Sequence, residues 1–133
     1  MLNRNKNTIL WFLPLAILLF NGACPFENKI SVENALIRMR EIREADLNFY
    51  RRHKKFGSLQ DLSSNKFLPG ELADGVDVNY RFELKPAGDT YTLNAIPLRD
   101  VGSCFFMDES GVIRASYSSQ ALANRSSEAI KKQ

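Results

Sequence analysis

The stretch SVENALIRMREIREADLNFY, residues 31–50, decides the fold, because its apolar and charged residues fall on two faces at helical spacing. The apolar positions recur at steps of three and four residues, and they are Val32, Ala35, Leu36, Met39, Ile42, Ala45, Phe49 and the neighbouring Tyr50. The charged positions fill the other face, and they are Arg38, Arg40, Glu41, Arg43, Glu44 and Asp46. The pattern predicts an amphipathic helix of about 25 residues that starts at a Ser31 N-cap and packs its apolar stripe on the protein's own sheet.

The end of this helix carries its own signals. Gly57 is expected to take the left-handed C-terminal position. The basic run RRHKK, residues 51–55, then lies in the last turns, where cations suit the helix dipole. SLQDL, residues 58–62, predicts a short second helical turn, with Ser58 as its cap and Asp61 three residues later.

Strand signals follow in the second half of the chain. Apolar residues alternate or form a short run in VNYRFEL (78–84), TYTLNAI (90–96), SCFFM (103–107) and VIRAS (112–116). AGD and DESG are turn signals between strands, and Pro97 is expected to end the second strand. The fold class is therefore α+β, with a long N-terminal amphipathic helix packed on a small antiparallel four-stranded sheet.

The N-terminal segment has the layout of an export signal. Arg4 and Lys6 precede ILWFLPLAILLF, residues 9–20. That run fits the apolar region of a signal peptide and is shorter than the roughly 20 residues that a membrane-spanning helix needs.

The motif NGAC after this run is similar to a bacterial lipobox, with small residues before the cysteine that receives the lipid. Lipid attachment at Cys24 is therefore expected, after removal of residues 1–23 as a lipoprotein-type signal peptide. Two alternatives remain open, an uncleaved membrane stem and a soluble secreted form. All three carry the domain across a membrane and into the bacterial cell envelope or beyond it.

Charge and cysteine content limit the function classes. Loss of Arg4 and Lys6 with the leader lowers the formal net charge from +3 to +1, since the leader has no acidic residue. A near-neutral domain argues against a nucleic-acid partner. Cys104 is expected to be a buried thiol if Cys24 is acylated, and a disulfide partner if Cys24 is free in an oxidising compartment.

The sequence shows no catalytic motif. It has no phosphate-binding Gly-rich loop, no nucleophile elbow and no metalloprotease helix motif. The single histidine, His53, is expected at the surface among its basic neighbours. Asp108, Glu109 and Ser110 offer oxygens to calcium, but one turn supplies too few ligands, so we interpret them as turn residues. We predict neither an enzyme nor a cofactor or metal site.

The order of these elements resembles the pilin-like domains of type IV pilins and type II secretion pseudopilins. The resemblance covers about residues 33–117. It rests on a helix that runs into an aromatic–Gly pair and a Ser-Leu-x-x-Leu turn, then on a Tyr-x-Phe strand, a Tyr strand ending Ala-x-Pro, and a final hairpin. The matching residues are Phe56, Gly57, Leu59, Leu62, Tyr80, Phe82, Tyr91, Ala95, Pro97, Phe105, Asp108, Gly111, Ile113 and Arg114.

The resemblance implies a structural or interaction role rather than catalysis. The N-terminus differs from that of prepilins, because no Gly precedes the apolar run and no Glu lies within it. We therefore divide the chain into a signal peptide (1–23), a tether (24–30), a pilin-like domain (31–117) and a mobile tail (118–133). The expected function is an envelope-tethered pilin-like module that contacts the membrane through its lipid or apolar segment and has envelope secretion or pilus proteins as candidate partners. The alternative is a pseudopilin-like subunit with an uncleaved membrane stem.

Overall fold

A computed structural model of the chain describes residues 25–77, 79–99, 102–116 and 123–130. This part of the chain begins with helix α1 (Pro25–His53), helix α2 (Leu59–Ser64) and a 3₁₀ turn (Gly70–Leu72). The strands follow as β1 (Val76–Asp77), β2 (Tyr80–Ala87), β3 (Thr90–Pro97), β4 (Cys104–Asp108), β5 (Arg114–Ser116) and β6 (Glu128–Ala129). The α+β class predicted from the sequence is confirmed.

Helix α1 buries the predicted stripe. Ala35, Met39, Ile42, Ala45 and Phe49 are all buried, and Val32, Leu36 and Tyr50 pack partly buried against the same core. The helix nevertheless begins at Pro25 and not at Ser31, so the predicted N-cap is wrong. Proline suits a first helical turn because it lacks the backbone N–H that would have no partner there.

The prediction that Gly57 takes the left-handed position at the end of α1 is also wrong. Helix α1 ends at His53, and Lys54 takes the left-handed conformation with a φ of 59°. Gly57 serves a different purpose, because a Cβ there would lie 3.0 Å from Cε1 of Phe49. Gly57 therefore allows the chain to pass close to α1 as it turns into α2.

The sheet has six antiparallel strands in chain order, β1-β2-β3-β4-β5-β6, where the sequence predicted four. The four predicted strands correspond to β2, β3, β4 and β5. The two additional strands, β1 and β6, have two residues each and lie at the edges. Segments this short cannot show an alternating pattern, so sequence periodicity does not reveal them. Strand β6 lies within the segment that the sequence assigned to the tail.

Cross-strand neighbours give the sheet an alternation of large and small side chains. Phe82 lies opposite Ala95, Ala95 opposite Phe105, and Phe105 opposite Ala115. All four belong to one core cluster, which also includes the buried residues of α1 and α2. Alternating volumes across neighbouring strands let a core reach high packing density without overlap.

Strand β4 is buried on both faces, and all five of its residues are buried. Phe105 and Met107 face the main core, whereas Cys104 and Phe106 form a smaller cluster with Ala123. A strand covered on both sides has a continuous apolar sequence, which explains why CFFM shows no alternation.

The register predicts which substitutions will destabilise the fold. Phe82→Ala and Phe105→Ala should each lower the free energy of unfolding by about 3–5 kcal/mol, because both rings are at most 2% exposed. Leu98→Ala is the matched control, because Leu98 is 53% exposed and should change stability by less than about 0.5 kcal/mol. Urea denaturation of the three variants measures these values. Similar small losses in all three would contradict the register.

Candidate interaction groove

A groove with a volume of about 580 Å³ lies open to solvent between α1 and the segment that follows α2. Its apolar lining consists of Ile37, Ala45, Phe67, Leu68 and Pro69. Its polar lining consists of Arg38, Arg40, Glu41, Glu44 and Asn48, all on α1. Ile37 is 49% exposed, so the groove presents apolar surface to solvent beside charged groups.

The wall opposite α1 is held in place by specific contacts. The backbone N–H groups of Phe67 and Leu68 both donate to the Leu62 carbonyl, at 2.8 and 3.3 Å. Leu62 itself is fully buried in the core. The Phe67 ring meets the Phe49 ring edge-on, with 5.8 Å between centroids. The wall therefore depends on α2 and on the buried face of α1.

Helix α2 is fixed by the capping box that the sequence predicted. The Asp61 backbone N–H donates to Ser58 Oγ at 3.1 Å, and the Ser58 backbone N–H donates to Asp61 Oδ2 at 2.9 Å. The hydrogen bonds from the Ser58 backbone and side chain hold the pKa of Asp61 below its ordinary value. The cap fixes where α2 starts. It therefore also fixes where the chain leaves α2 and forms the wall of the groove at Phe67, Leu68 and Pro69.

Asp46 connects α1 to this cap, and its predicted position on the charged face is wrong. Its side chain is fully buried, and Oδ1 accepts a hydrogen bond of 2.9 Å from the Gly57 backbone N–H. Oδ2 has no hydrogen-bond partner among the described residues. Burial raises the pKa of Asp46 to about 6, against the opposing effect of the Gly57 hydrogen bond.

The sequence held a signal for this burial. Asp46 follows Ile42 by four residues and precedes Phe49 by three, so its spacing belongs to the apolar stripe. Residue type outweighed spacing in the prediction, because an unpaired carboxylate is rarely buried. Its acceptor role depends on Gly57, eleven residues along the chain, and helical spacing carries no information about that partner.

A second feature is the close approach of α1 to the hairpin between β4 and β5. A Cβ at Gly111 would lie 2.8 Å from Nε of Arg43, so the arginine side chain would have to shift. The φ of 74° favours glycine at this position independently. Neither Arg43 Nε nor the hydroxyl of the buried Tyr91 has a hydrogen-bond partner among the described residues. Burial raises the pKa of Tyr91 to about 12, and the nearby Arg43 charge acts in the opposite direction.

The Asp108 turn is confirmed as a turn. The Gly111 backbone N–H donates to the Asp108 carbonyl at 3.0 Å, and Asp108 Oδ1 accepts from the Ser110 backbone N–H, also at 3.0 Å. Asp108 Oδ2 lies 2.8 Å from Nε of Arg125. Burial alone would raise the pKa of Asp108, but the Ser110 hydrogen bonds and the arginine charges hold it below its ordinary value.

The remaining residues that the sequence analysis considered are the possible metal ligands, Cys104 and His53. Within the described ranges, no group of three or more His, Cys, Asp or Glu side chains is arranged to hold a metal ion. Cys104 is a buried free thiol whose pKa is raised by burial. His53 is at the surface, as predicted, and stacks on Phe49 with 4.1 Å between ring centroids.

The basic end of α1, by which we mean residues 51–53 of the helix and the two lysines directly after it, adjoins the groove. Arg51 donates a hydrogen bond of 2.7 Å to Asn48, and the Arg52 guanidinium lies 5.3 Å from the centroid of the Phe67 ring. Asn48 and Phe67 both line the groove. None of the residues in the basic end forms an ion pair with a carboxylate in the described part of the chain.

Cys24, the predicted lipid attachment site, and the rest of the predicted leader lie outside the described residues. Within the described part, no helix is both long enough and apolar enough to span a membrane. Comparisons with protein-family models, curated proteins and solved structures gave no match. The lining of the groove offers apolar contact and ion pairing as its available interactions.

The buried carboxylate predicts a pH-dependent stability. Asp46 has a pKa of about 6 in the folded protein against an ordinary 3.8, so the folded state binds more protons between these values. The free energy of unfolding should therefore fall as pH rises from 4 to 7, by about 2–3 kcal/mol from this group. Asp46→Asn keeps an acceptor for Gly57 and removes the titration. Urea denaturation across this range should show the wild-type and variant curves converging at low pH, and parallel curves would contradict the assignment.

The close approach at Gly57 predicts a second loss of stability. Gly57→Ala should lower the free energy of unfolding by about 1–3 kcal/mol, because Phe49 is confined by neighbouring rings and cannot move aside. Gly70→Ala is the matched control, since the nearest atom to its added Cβ lies 3.8 Å away. Thermal denaturation of both variants should separate them, and equal melting temperatures would argue against the steric explanation.

Proposed function

We propose that this chain is an envelope-tethered, pilin-like interaction or structural module without enzymatic activity, attached through a lipid on Cys24. The observation that supports it best is the element order of one long helix followed by an antiparallel meander in chain order. This is the order that the resemblance implies. The finer form of the fold, a helix packed across one face of the sheet, is supported by the core cluster that α1 and strands β2 to β5 share.

The position of α1 supports a tethering role for its N-terminus. The helix begins at Pro25, directly after Cys24, so the segment predicted as a tether is helical from its second residue. A lipid on Cys24 would make α1 a semi-rigid stalk. Ile37 and Asn48 would then lie about 18 and 35 Å along the helix from its start. The groove would thus face partners within the envelope at some distance from the membrane surface.

The chemistry of the groove favours binding over catalysis. Its lining supplies aliphatic and aromatic contacts, arginines, carboxylates and one amide. Within this lining Arg38 pairs with Glu41, and Glu44 pairs with Arg43, which lies outside the groove. Such a surface recognises another macromolecule through shape and charge.

One observation favours the alternative, a pseudopilin-like subunit of a type II secretion or type IV pilus system with an uncleaved stem. Because α1 starts at Pro25, only residues 21–24 separate it from the apolar run of residues 9–20. A stem that nearly adjoins the helix is what such a subunit requires. Pro14 within the run and Pro25 at the junction oppose a continuous helix.

The two forms predict different masses. Lipidated protein extracted from membranes should lack residues 1–23 and carry a diacylglycerol group on Cys24. Cys24→Ser should then remain as an uncleaved precursor or move to the soluble fraction. Intact-mass spectrometry with fractionation measures both, and Cys104→Ser is the control that should leave mass processing unchanged, because Cys104 is buried.

The contradicting result is equally specific. A full-length mass for the wild type, together with thin filaments containing this chain in electron micrographs of sheared cells, would replace the lipid-tethered form with the pseudopilin alternative. The lipidated form should sediment as a monomer or weak oligomer in detergent.

A further inference from the structure

We propose that the groove docks an acidic amphipathic segment of a partner protein, whose apolar side chains lie on Ile37 and Phe67 and whose carboxylates meet Arg40 and the basic end of α1. This deepens the proposed function, on which it rests, by giving the chemistry of the partner.

The apolar part of the groove requires an apolar counterpart. Ile37 is 49% exposed, although it lies within a helix whose other face is tightly packed. Phe67 is only partly buried, and Pro69 and Ala45 complete the same surface. From Ile37 to Asn48 this face of α1 is about 17 Å long, which matches about three turns of a docked helix.

The charges around the groove are asymmetric. Its carboxylates are already engaged, because Glu41 pairs with Arg38 and Glu44 pairs with Arg43. Arg38 is engaged a second time, by Asp77 at 2.6 Å. Arg40 has no ion-pair partner among the described residues, and neither have the cations of the basic end. The groove lining is balanced overall, with two arginines and two glutamates. The excess positive charge lies beside it, at Arg51 and Arg52, which contact Asn48 and Phe67 of the lining, and an acidic segment complements that charge.

Other occupants fit these features less well. Nucleic acid would bind the cations through its phosphates, but it would leave the apolar lining of the groove without a matching surface. An anionic membrane surface would need the basic end to face the bilayer, and that end is about 40 Å along α1 from Cys24. A second copy of this chain would bring the same uncompensated positive charge to the interface.

The test uses the full chain in a non-ionic detergent and a fluorescein-labelled peptide probe of about 14 residues, long enough for three helical turns. The probe has Leu at every third or fourth position and Glu at most others, and its control replaces each Glu by Lys. Fluorescence anisotropy should show saturable binding of the acidic peptide that weakens as salt is raised, and at least tenfold weaker binding of the basic peptide.

Matched variants locate the binding. Ile37→Gln should weaken binding about tenfold, whereas Ile30→Gln, a similarly exposed isoleucine on α1 that does not line the groove, should not. The double variant Arg51→Gln with Arg52→Gln should weaken binding and flatten its salt dependence. Lys85→Gln, an exposed cation on β2, should do neither.

Several outcomes would overturn the inference. These are equal binding of both peptides, no effect of Ile37→Gln, preferential binding of the chain to anionic over neutral phospholipid vesicles, or concentration-dependent self-association that Ile37→Gln abolishes. Peptide binding without a lipid mass on Cys24 would leave the groove assignment intact and remove the tether. A lipid mass on Cys24 without peptide binding would keep the tether and remove the groove assignment.

Discussion

The hydrogen bond from the Gly57 backbone N–H to Oδ1 of Asp46 is the contact on which the rest of the structure depends. It fixes how the chain leaves α1 and enters α2, with the Phe49 ring packed against the same glycine. The direction of α2 then decides that Leu59 and Leu62 enter the core. Burying a carboxylate oxygen without a hydrogen-bond partner costs free energy, so Asp46 lowers the stability of the fold while it defines the turn.

The sheet and the helix share one core through complementary sizes. Large and small residues alternate across β2, β3, β4 and β5, and the apolar stripe of α1 belongs to the same cluster. The Arg43 side chain of α1 lies close to Gly111 of the β4–β5 hairpin. The long helix is thus held by the core that it shares with the sheet and by α2 near its end.

These constraints also shape the outer surface. Because α2 is fixed, Phe67, Leu68 and Pro69 form a stable wall beside the exposed side of α1, and the groove exists between them. Cys24, the proposed attachment point, directly precedes α1 in the chain, and the groove lies along the later part of that helix. If Cys24 is lipidated as proposed, the anchor would precede the helix and the groove would lie further along it. This arrangement fits the proposed tethered module and equally a subunit that keeps its stem.

The sequence by itself determined the α+β class, the buried stripe of α1, the alternating faces of β2 and β3, and the capping box of α2. Each of these follows from local spacing or from contacts within a few residues. Tertiary structure alone decided the burial of Asp46, the role of Gly57, the edge strands β1 and β6, and the groove. Asp46 has the spacing of a core residue and the chemistry of a surface residue, and only its partner eleven residues away resolves that conflict. The two-residue edge strands are likewise defined by hydrogen bonds to their neighbours, which no local pattern of side chains encodes.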